Sequence, residues 1–366
     1  MQNIRLYFAV ILFPLSLIYG MVVFFRNLLF DLGILKSVSF QLPVISVGNI
    51  TAGGTGKTPH VEYLLNLLGR DFQIAVLSRG YKRKSRGFQM AVAGSTVEEV
   101  GDELMQIHNR FPQLVVAADN DRIHGIGQLT LKFPGLRAII LDDAFQHRHV
   151  NPGLSIVLVD HARPVFRDFL LPMGNLRESR RNIHRADMVI ITKCPPEISE
   201  LQRREFIRRL RLRHQQPVFF TGYQYGNILP VFRDKAQAFA MHPQKQKNPG
   251  ILLVSGIANN KPLKDHLMTC TTRLISLSFN DHHTYTPADI RAIERRFAEL
   301  PADSGIIVTT EKDAVKFREI PDELHNISPF IYYIPIGVKF LDEGEKAFNK
   351  MVMAFCRGER SLSGNE

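Results

Sequence analysis

The stretch GNITAGGTGKTP, residues 48–59, decides how the rest of this 366-residue chain is read. Immediately before it, residues 42–47 (LPVISV) form a short apolar, β-branched run of the kind that makes a buried strand. Immediately after it, Val61, Leu64, Leu65, Leu67 and Leu68 recur at helical spacing. The glycines are therefore expected at a strand-to-helix turn, where they let backbone N–H groups close round an anion at a helix N-terminus. In that context Gly-Lys-Thr reads as a phosphate cradle. Lys57 would reach the β- and γ-phosphates of a nucleotide, and the Thr58 hydroxyl would bind Mg²⁺. The loop residues Thr51, Ala52, Gly53, Gly54, Thr55 and Gly56 complete the candidate nucleotide site. Thr51 is a departure, since G-x-x-x-x-G-K-[ST] asks for glycine there.

With 45% apolar residues, the chain is long enough for two cores and has the composition of a globular α/β protein. Its net charge of +11 favours an anionic partner: nucleic acid, a phospholipid surface or a phosphorylated substrate. Cys194, Cys270 and Cys356 lie far apart without metal or redox spacing, which suits thiols in a reducing compartment. Residues 6–25 carry no charge, and as a helix they would reach about 30 Å, the thickness of a bilayer core. A signal peptide is disfavoured, because no small-residue cleavage site follows and the apolar run continues past Gly20. A spanning helix would leave only a short tether before a loop that must stay cytoplasmic. The expectation is an anchor lying in the inner leaflet, with Arg5, Arg26 and Lys36 at the headgroups; a buried core helix is the alternative.

Downstream, strands are expected at 73–77, 136–141, 155–160 and 188–192. They imply a phosphate-loop-type, mostly parallel sheet with helices on both faces. The first ends in SRGYKRK (78–84), a basic loop at the ligand edge of such a sheet, with Arg79 a candidate phosphate contact. Strand 136–141 runs into Asp142-Asp143. Adjacent acids at the end of an apolar strand are costly unless they meet a cation, so both are candidate Mg²⁺ partners. Gln146 and His147 follow as candidate substrate or phosphate contacts, and Arg177 with Glu178 in LLPMGNLRE (170–178) are others. In GDE (101–103), Asp102 on spacing alone reads as a helix cap, although paired carboxylates with Glu103 also suit base or metal work.

Ile191-Thr192-Lys193-Cys194 is similar to the guanine-reading Thr-Lys-x-Asp but lacks the aspartate, which favours ATP over GTP. The basic helix expected at 201–213 accompanies no nucleic-acid motif, and no nucleic-acid partner is expected. Composition shifts from 215 to 250 towards aromatic, Pro, Gln and Lys residues. The expected division is a membrane-associating helix (1–36), a phosphate-loop domain (37–215), a linker or extended ribbon (216–249) and a smaller α/β domain (250–356). In the last, strands at 250–254, 274–279 and 305–308 each end in a polar cluster facing the first domain. Asp281-His282-His283 is one of these, and an Asp–His pair suits proton transfer better than metal binding.

Taken in order, SVGNITAGGTGKTP, SRGYKRK, GDE, LDDAFQH, LPMGNLRE, FNDHH and TTEKDAVK resemble the tetraacyldisaccharide 4′-kinases, the lipid A 4′-kinase family of bacterial inner membranes. The resemblance implies transfer of the ATP γ-phosphate, with Mg²⁺, to the 4′-hydroxyl of an acylated glucosamine disaccharide 1-phosphate lipid. It also implies a peripheral or monotopic place on the cytoplasmic face of the inner membrane. Position by position, Asp102 matches the family's catalytic base and His282 the histidine that supports it, against the cap reading. Arg122, in ADNDRIHG, matches a polar position near the phosphates. Leu104 replaces a usual proline, and GIANNKPL (256–263) departs from the family's Gly-Ile-Gly-x-Pro pattern, leaving that loop without an assigned role. The competing reading is a membrane-recruited ATPase switch, which the donor loop fits equally well.

Overall fold

Every residue of strand β1 (Val44–Gly48) is buried, because parallel strands flanked on both sides and covered by helices on both faces have no solvent edge. The computed structural model describes residues 9–236, 241, 248–301 and 305–359. Its helices are α1 (Ala9–Asp31), α2 (Lys57–Leu68), α3 (Val97–Val100), α4 (Asp102–Arg110) and α5 (Arg122–Lys132), then α6 (Glu200–Leu210), α7 (Lys261–Cys270), α8 (Pro287–Phe297), α9 (Glu311–Arg318) and α10 (Gly344–Arg357). The strands after β1 are β2 (Ile74–Ser78), β3 (Gln89–Met90), β4 (Val115–Ala118), β5 (Ala138–Asp142), β6 (Leu154–Asp160), β7 (Met188–Thr192) and β8 (Val218–Tyr225). They continue with β9 (Leu229–Pro230), β10 (Gly250–Ser255), β11 (Leu274–Ser278), β12 (Gly305–Thr310), β13 (Ile331–Ile334) and β14 (Ile336–Phe340).

The large sheet runs β14-β8-β7-β6-β1-β5-β2-β4-β3, parallel from β8 to β4 and antiparallel at both edges. Register sets Val47 beside Asp142, so the glycine-rich loop leaves β1 next to the acidic end of β5. That is the carboxyl edge of the sheet, where open α/β folds place ligands. The small sheet runs β11-β10-β12-β13-β9, parallel except for β9.

Sheet membership differs from the expected division at 215/216 and at the C-terminus. Strand β8 belongs to the large sheet, and Phe219 and Phe220, which marked the aromatic shift in composition, are core residues there. Strand β14 pairs with β8, and α10 packs Phe348, Val352 and Cys356 into the same core as Val61, Leu64 and Leu65 of α2. The crossing between sheets is two-stranded, 225–229 running against 334–336 with Gly226 N–H donating to the Pro335 carbonyl at 2.9 Å. Residues 237–240 and 242–247 of the expected linker lie outside the described residues. Phe348 is sandwiched by Tyr63, Phe219 and Phe340. Its replacement by alanine should therefore cost about 3–5 kcal/mol, read from the urea midpoint.

The small sheet docks on the large one through α9 and α4. Arg110 of α4 donates to Glu62 of α2 at 2.6 Å and to Glu311 of α9 at 3.1 Å, and Gln106 holds the other Glu62 oxygen at 2.8 Å. Three helices thus share one ion cluster behind the cleft. The expected basic helix is α6, where Glu200 pairs with Arg204 and Glu205 with Arg208 and Arg209. Its charge is partly internally balanced.

Candidate active site

The donor loop is built by backbone rather than by long side chains. Gly53 (φ 100°) and Gly56 (φ 89°) occupy the left-handed region, which glycine enters without steric penalty. Gly56 is the N-cap of α2 and provides no side-chain acceptor, so the first N–H groups of the helix remain open to an anion. His60 fixes this turn from behind. Its Nδ1 lies 2.7 Å from the Gly56 carbonyl and its Nε2 3.0 Å from the Thr221 hydroxyl. A carbonyl only accepts, so Nδ1 carries the proton; burial holds the imidazole neutral, down at about 4. Asn49 donates to the Thr55 hydroxyl at 2.7 Å, Thr192 to the Thr55 carbonyl at 2.8 Å, and Lys193 to the Gly54 carbonyl while pairing with Asp160 at 2.8 Å.

Thr51 is not a defect of the loop. It forms an antiparallel bridge with Leu176, and the neighbouring Ala52 N–H donates to the Asn175 carbonyl at 2.7 Å. Here the chain is extended, and glycine's freedom is not needed.

Lys57 lies 3.5 Å from Asp143, and Arg177 holds the same carboxylate at 2.9 and 3.1 Å. Asp143 (φ 49°) is a non-glycine residue in the left-handed region, a strained position that aims its side chain at these cations. It lies beside Asp142, and its oxygens are engaged by Lys57 and Arg177. Asp142 differs. It is 1% exposed, its Oδ1 has no hydrogen-bond partner, and burial, then the charge of Glu103, push it up to about 7. A buried carboxylate oxygen in that state fits a divalent cation. Among the described residues no group of three or more His, Cys, Asp or Glu could hold a metal, so a cation here would share its shell with phosphate oxygens and Thr58.

Arg122 is buried beneath this edge and donates to the carbonyls of Asp119 and Asp142. His147 stands nearby, held neutral at about 4 by burial and by the charges of Arg122 and the exposed Arg79. Gln146 and Glu178 bond to each other and to the wall. Gln146 donates to the Asn49 carbonyl and to Glu178, both at 2.8 Å. Glu178 is buried, with Asn182 at 2.7 Å and Arg185 at 2.5 Å on its other oxygen. Both side chains brace the wall of the loop, and the Gln146 Oε1 accepts from Arg177 at 3.3 Å.

The facing side of the cleft starts at α4. Gly101 (φ 92°), not Asp102, is the N-cap, and the Asp102 carboxylate makes no capping bond. It turns to the small sheet, where His282 Nδ1 meets its Oδ2 at 2.8 Å. Lys312 and Lys316 of α9 stand 3.8 and 3.5 Å from the same oxygen, and Glu103 stands 3.7 Å from Lys312. Asp102 Oδ1 is buried and has no partner. Burial by itself would push this carboxyl up; the His282 hydrogen bond and the charges of Lys312, His282 and Lys316 outweigh it and hold the group below its usual value. A cavity of about 240 Å³ opens here, lined among others by Tyr81, Lys82, Asp102, His282, Tyr285 and Lys316. His283 points away, stacked on Phe279 and bonded to Asp289 at 3.0 Å.

Sequence reasoning named no role for His60, Lys312 or Lys316. The signal for the lysines was present in TTEKDAVK, where i, i+4 spacing on a helix puts both on one face.

The cleft thus has a helix N-terminal cradle on one wall and a buried Asp–His pair on the other. A profile of the family described as tetraacyldisaccharide-1-P 4′-kinase matches residues 8–357. The chain belongs to this family. Among its members, the tetraacyldisaccharide 4′-kinase of Bacteroides thetaiotaomicron is 45% identical over 94% of this chain and 93% of its own length. That of Flavobacterium johnsoniae is 40% identical over 95% and 97%. The crystal structure of LpxK from Aquifex aeolicus in complex with ATP matches with a TM-score of 0.70 at 28% identity, covering 96% of this chain and 99% of that one. Membership makes this 4′-kinase relative a lipid kinase of mixed α/β fold.

Proposed function

We propose that this chain transfers the γ-phosphoryl group of ATP to the 4′-hydroxyl of a tetraacylated glucosamine disaccharide 1-phosphate, with Asp102 as the general base. The observation that carries the assignment is the divided carboxylate of Asp102, a residue that lines the cavity: Oδ2 is fixed by His282, while Oδ1 is buried and unpartnered. In the step, the acceptor O–H bond breaks, its proton passes to Asp102 Oδ1, and its electron pair forms the new O–P bond. The bridging P–O bond breaks with its electron pair leaving on ADP. Lys57 and the amides of residues 53–58 hold the β- and γ-phosphates, and Asp143 with Arg177 orients Lys57. Asp142 and Thr58 would hold Mg²⁺, which when bound neutralises phosphoryl oxygens. His282 follows β11 of the small sheet and the cradle belongs to the large one, so the docked sheets together make the site.

The acceptor is a lipid, and α1 has the surface to meet one. Phe13, Leu17, Met21, Val22, Phe24 and Phe25 are exposed, and 11% of the apolar window within Leu12–Asp31 is buried. The opposite side is polar and bonded to the body. Ser16 donates to the Leu170 carbonyl, Tyr19 to the Arg177 carbonyl, and Arg148 donates to Asn27 and Asp31. A helix bound from Ser16 to Asp31, about 22 Å of its length, has no free stretch with which to cross a bilayer. It lies in the cytoplasmic leaflet of the inner membrane as a peripheral or monotopic anchor, and the basic surface faces anionic lipid rather than nucleic acid. Leu17→Glu with Met21→Glu should weaken binding to anionic vesicles by more than about tenfold, measured by flotation, with the thermal midpoint unchanged.

Labelled ATP and the acylated disaccharide 1-phosphate in mixed micelles test the reaction directly. The expected product is the 4′-phosphorylated lipid. Steady ATP hydrolysis with no labelled lipid would favour the switch.

A further inference from the structure

Lys312 meets more of the facing wall than any bonding role in α9 requires. It is largely buried, and its ammonium lies 2.9 Å from His282 Nε2, 3.3 Å from Asp281, 3.7 Å from Glu103 and 3.8 Å from Asp102. The 2.9 Å contact fixes the chemistry of the imidazole. A lysine ammonium carries three donors and no acceptor, so Nε2 must accept. Nδ1 then bears the imidazole's proton, and it is this proton that reaches Asp102 Oδ2 at 2.8 Å. A second proton on Nε2 would displace the bond and stand against a positive charge at contact distance.

Backbone geometry agrees with a fixed ring. His282 sits at φ 57°, its N–H bonds to the Gly256 carbonyl at 3.3 Å, and Tyr81 packs edge-on at 4.8 Å between ring centres. The charged and titratable groups around the pair are Asp102 and Glu103 from α4, Lys312 and Lys316 from α9, Asp281 from its own loop, and Tyr81 from the loop after β2.

We propose that Lys312 is a positioning residue for phosphoryl transfer: it locks His282 as the Nδ1–H tautomer and keeps proton acceptance on Asp102. The inference rests on the role of Asp102 proposed above. Lys312 touches neither reacting atom. It removes the alternative in which the histidine takes the proton, and its charge favours the ionised carboxylate. Lys316, 3.5 Å from Asp102 and from Asp313, adds charge without reaching the ring.

Two measurements test it on the full-length chain. In the rate–pH profile, Lys312→Met should lower kcat with little change in KM for ATP. It should also move the acidic limb towards higher pH by about one unit, a tenfold loss at any pH on that limb. Lys312→Arg, which keeps the charge and the donors, should return the limb to its place. A lysine that only staples the two sheets predicts instead an equal loss at every pH, and that result with an intact fold overturns the proposal. The second measurement does not need an active enzyme. Nitrogen-resolved NMR of the imidazoles should show His282 as Nδ1–H in the wild-type protein, identified by loss of its signals in His282→Gln. An Nε2–H tautomer there overturns the proposal even if lipid phosphorylation is demonstrated. If no lipid is phosphorylated by the wild-type chain, the base assignment fails while the tautomer result still decides the role of Lys312 on the ring.

Discussion

Asp102→Ala is expected to lower kcat for lipid phosphorylation by about 10²–10⁴, the range a positioned general base supplies, while ATP affinity stays within about twofold. The separation follows from placement. Asp102 starts α4 on the wall opposite the loop of residues 51–58, and its contacts are His282, Lys312 and Lys316, none of which belongs to the donor cradle. Asp102→Asn should be nearly as slow, since an amide oxygen keeps the shape and lacks the basicity. The pH profile carries a sign. The carboxyl is held below its usual value, so the base remains ionised as the pH falls below the range where a free aspartate would take a proton. The wild-type rate should therefore persist into mildly acidic solution and fall only when Asp102 itself is protonated. Single-turnover kinetics with titration calorimetry for ATP would measure both quantities. Near-normal turnover in Asp102→Ala would remove the assignment.

The second large effect is expected at Lys57. Lys57→Met should reduce kcat/KM for ATP by about 10²–10³, because a cation that meets charge developing on transferred phosphoryl oxygens acts mainly in the transition state. In the structure Lys57 rests 3.5 Å from Asp143, which also binds Arg177. The lysine is thus pre-aligned by a carboxylate that keeps a partner after the substitution, and the fold should survive. Lys57→Arg should not rescue, since the planar guanidinium cannot reproduce a point charge on a flexible stem inside a glycine cradle. Wild-type kinetics from either variant would mean that the loop holds something other than the donor phosphates.

Much of the frame was legible because parallel strands announce themselves. Runs such as IAVLS in β2, AIILD in β5 and MVIIT in β7 are continuous and β-branched, and buried strands need no alternation. The expected strands at 73–77, 136–141 and 188–192 fall within one or two residues of those observed. The edges were harder to read. In β8, VFFTGYQY mixes aromatic, glycine and polar residues because one end lies in the core and the other in the crossing, which disguised a sheet strand as a linker. At the site, the cradle was readable from spacing, since local backbone makes it. Asp102 was not, because a carboxylate at the start of a helix looks like a cap whether or not it caps. Only a partner 180 positions away, His282, distinguishes the cases. Glu178 and Gln146 show a related ambiguity: polar residues near a ligand edge can serve the wall as well as the ligand. Thr51 looked wrong only against a pattern that assumes the loop stands alone.

The bridge between Thr51 and Leu176 has a mechanical meaning once the path of the chain is followed further. The segment that zips to the donor loop is the one on which α1 rests, through Ser16 on the Leu170 carbonyl and Tyr19 on the Arg177 carbonyl. Loop, strap and anchor form one short truss. If α1 beds in the leaflet as proposed above, a γ-phosphate in the loop would be carried at a set height above the lipid surface, like a stylus on a fixed arm. An acceptor whose sugar rises to that height would be within reach, and one that sits deeper would not, so on that reading the truss would act as a depth gauge for the headgroup.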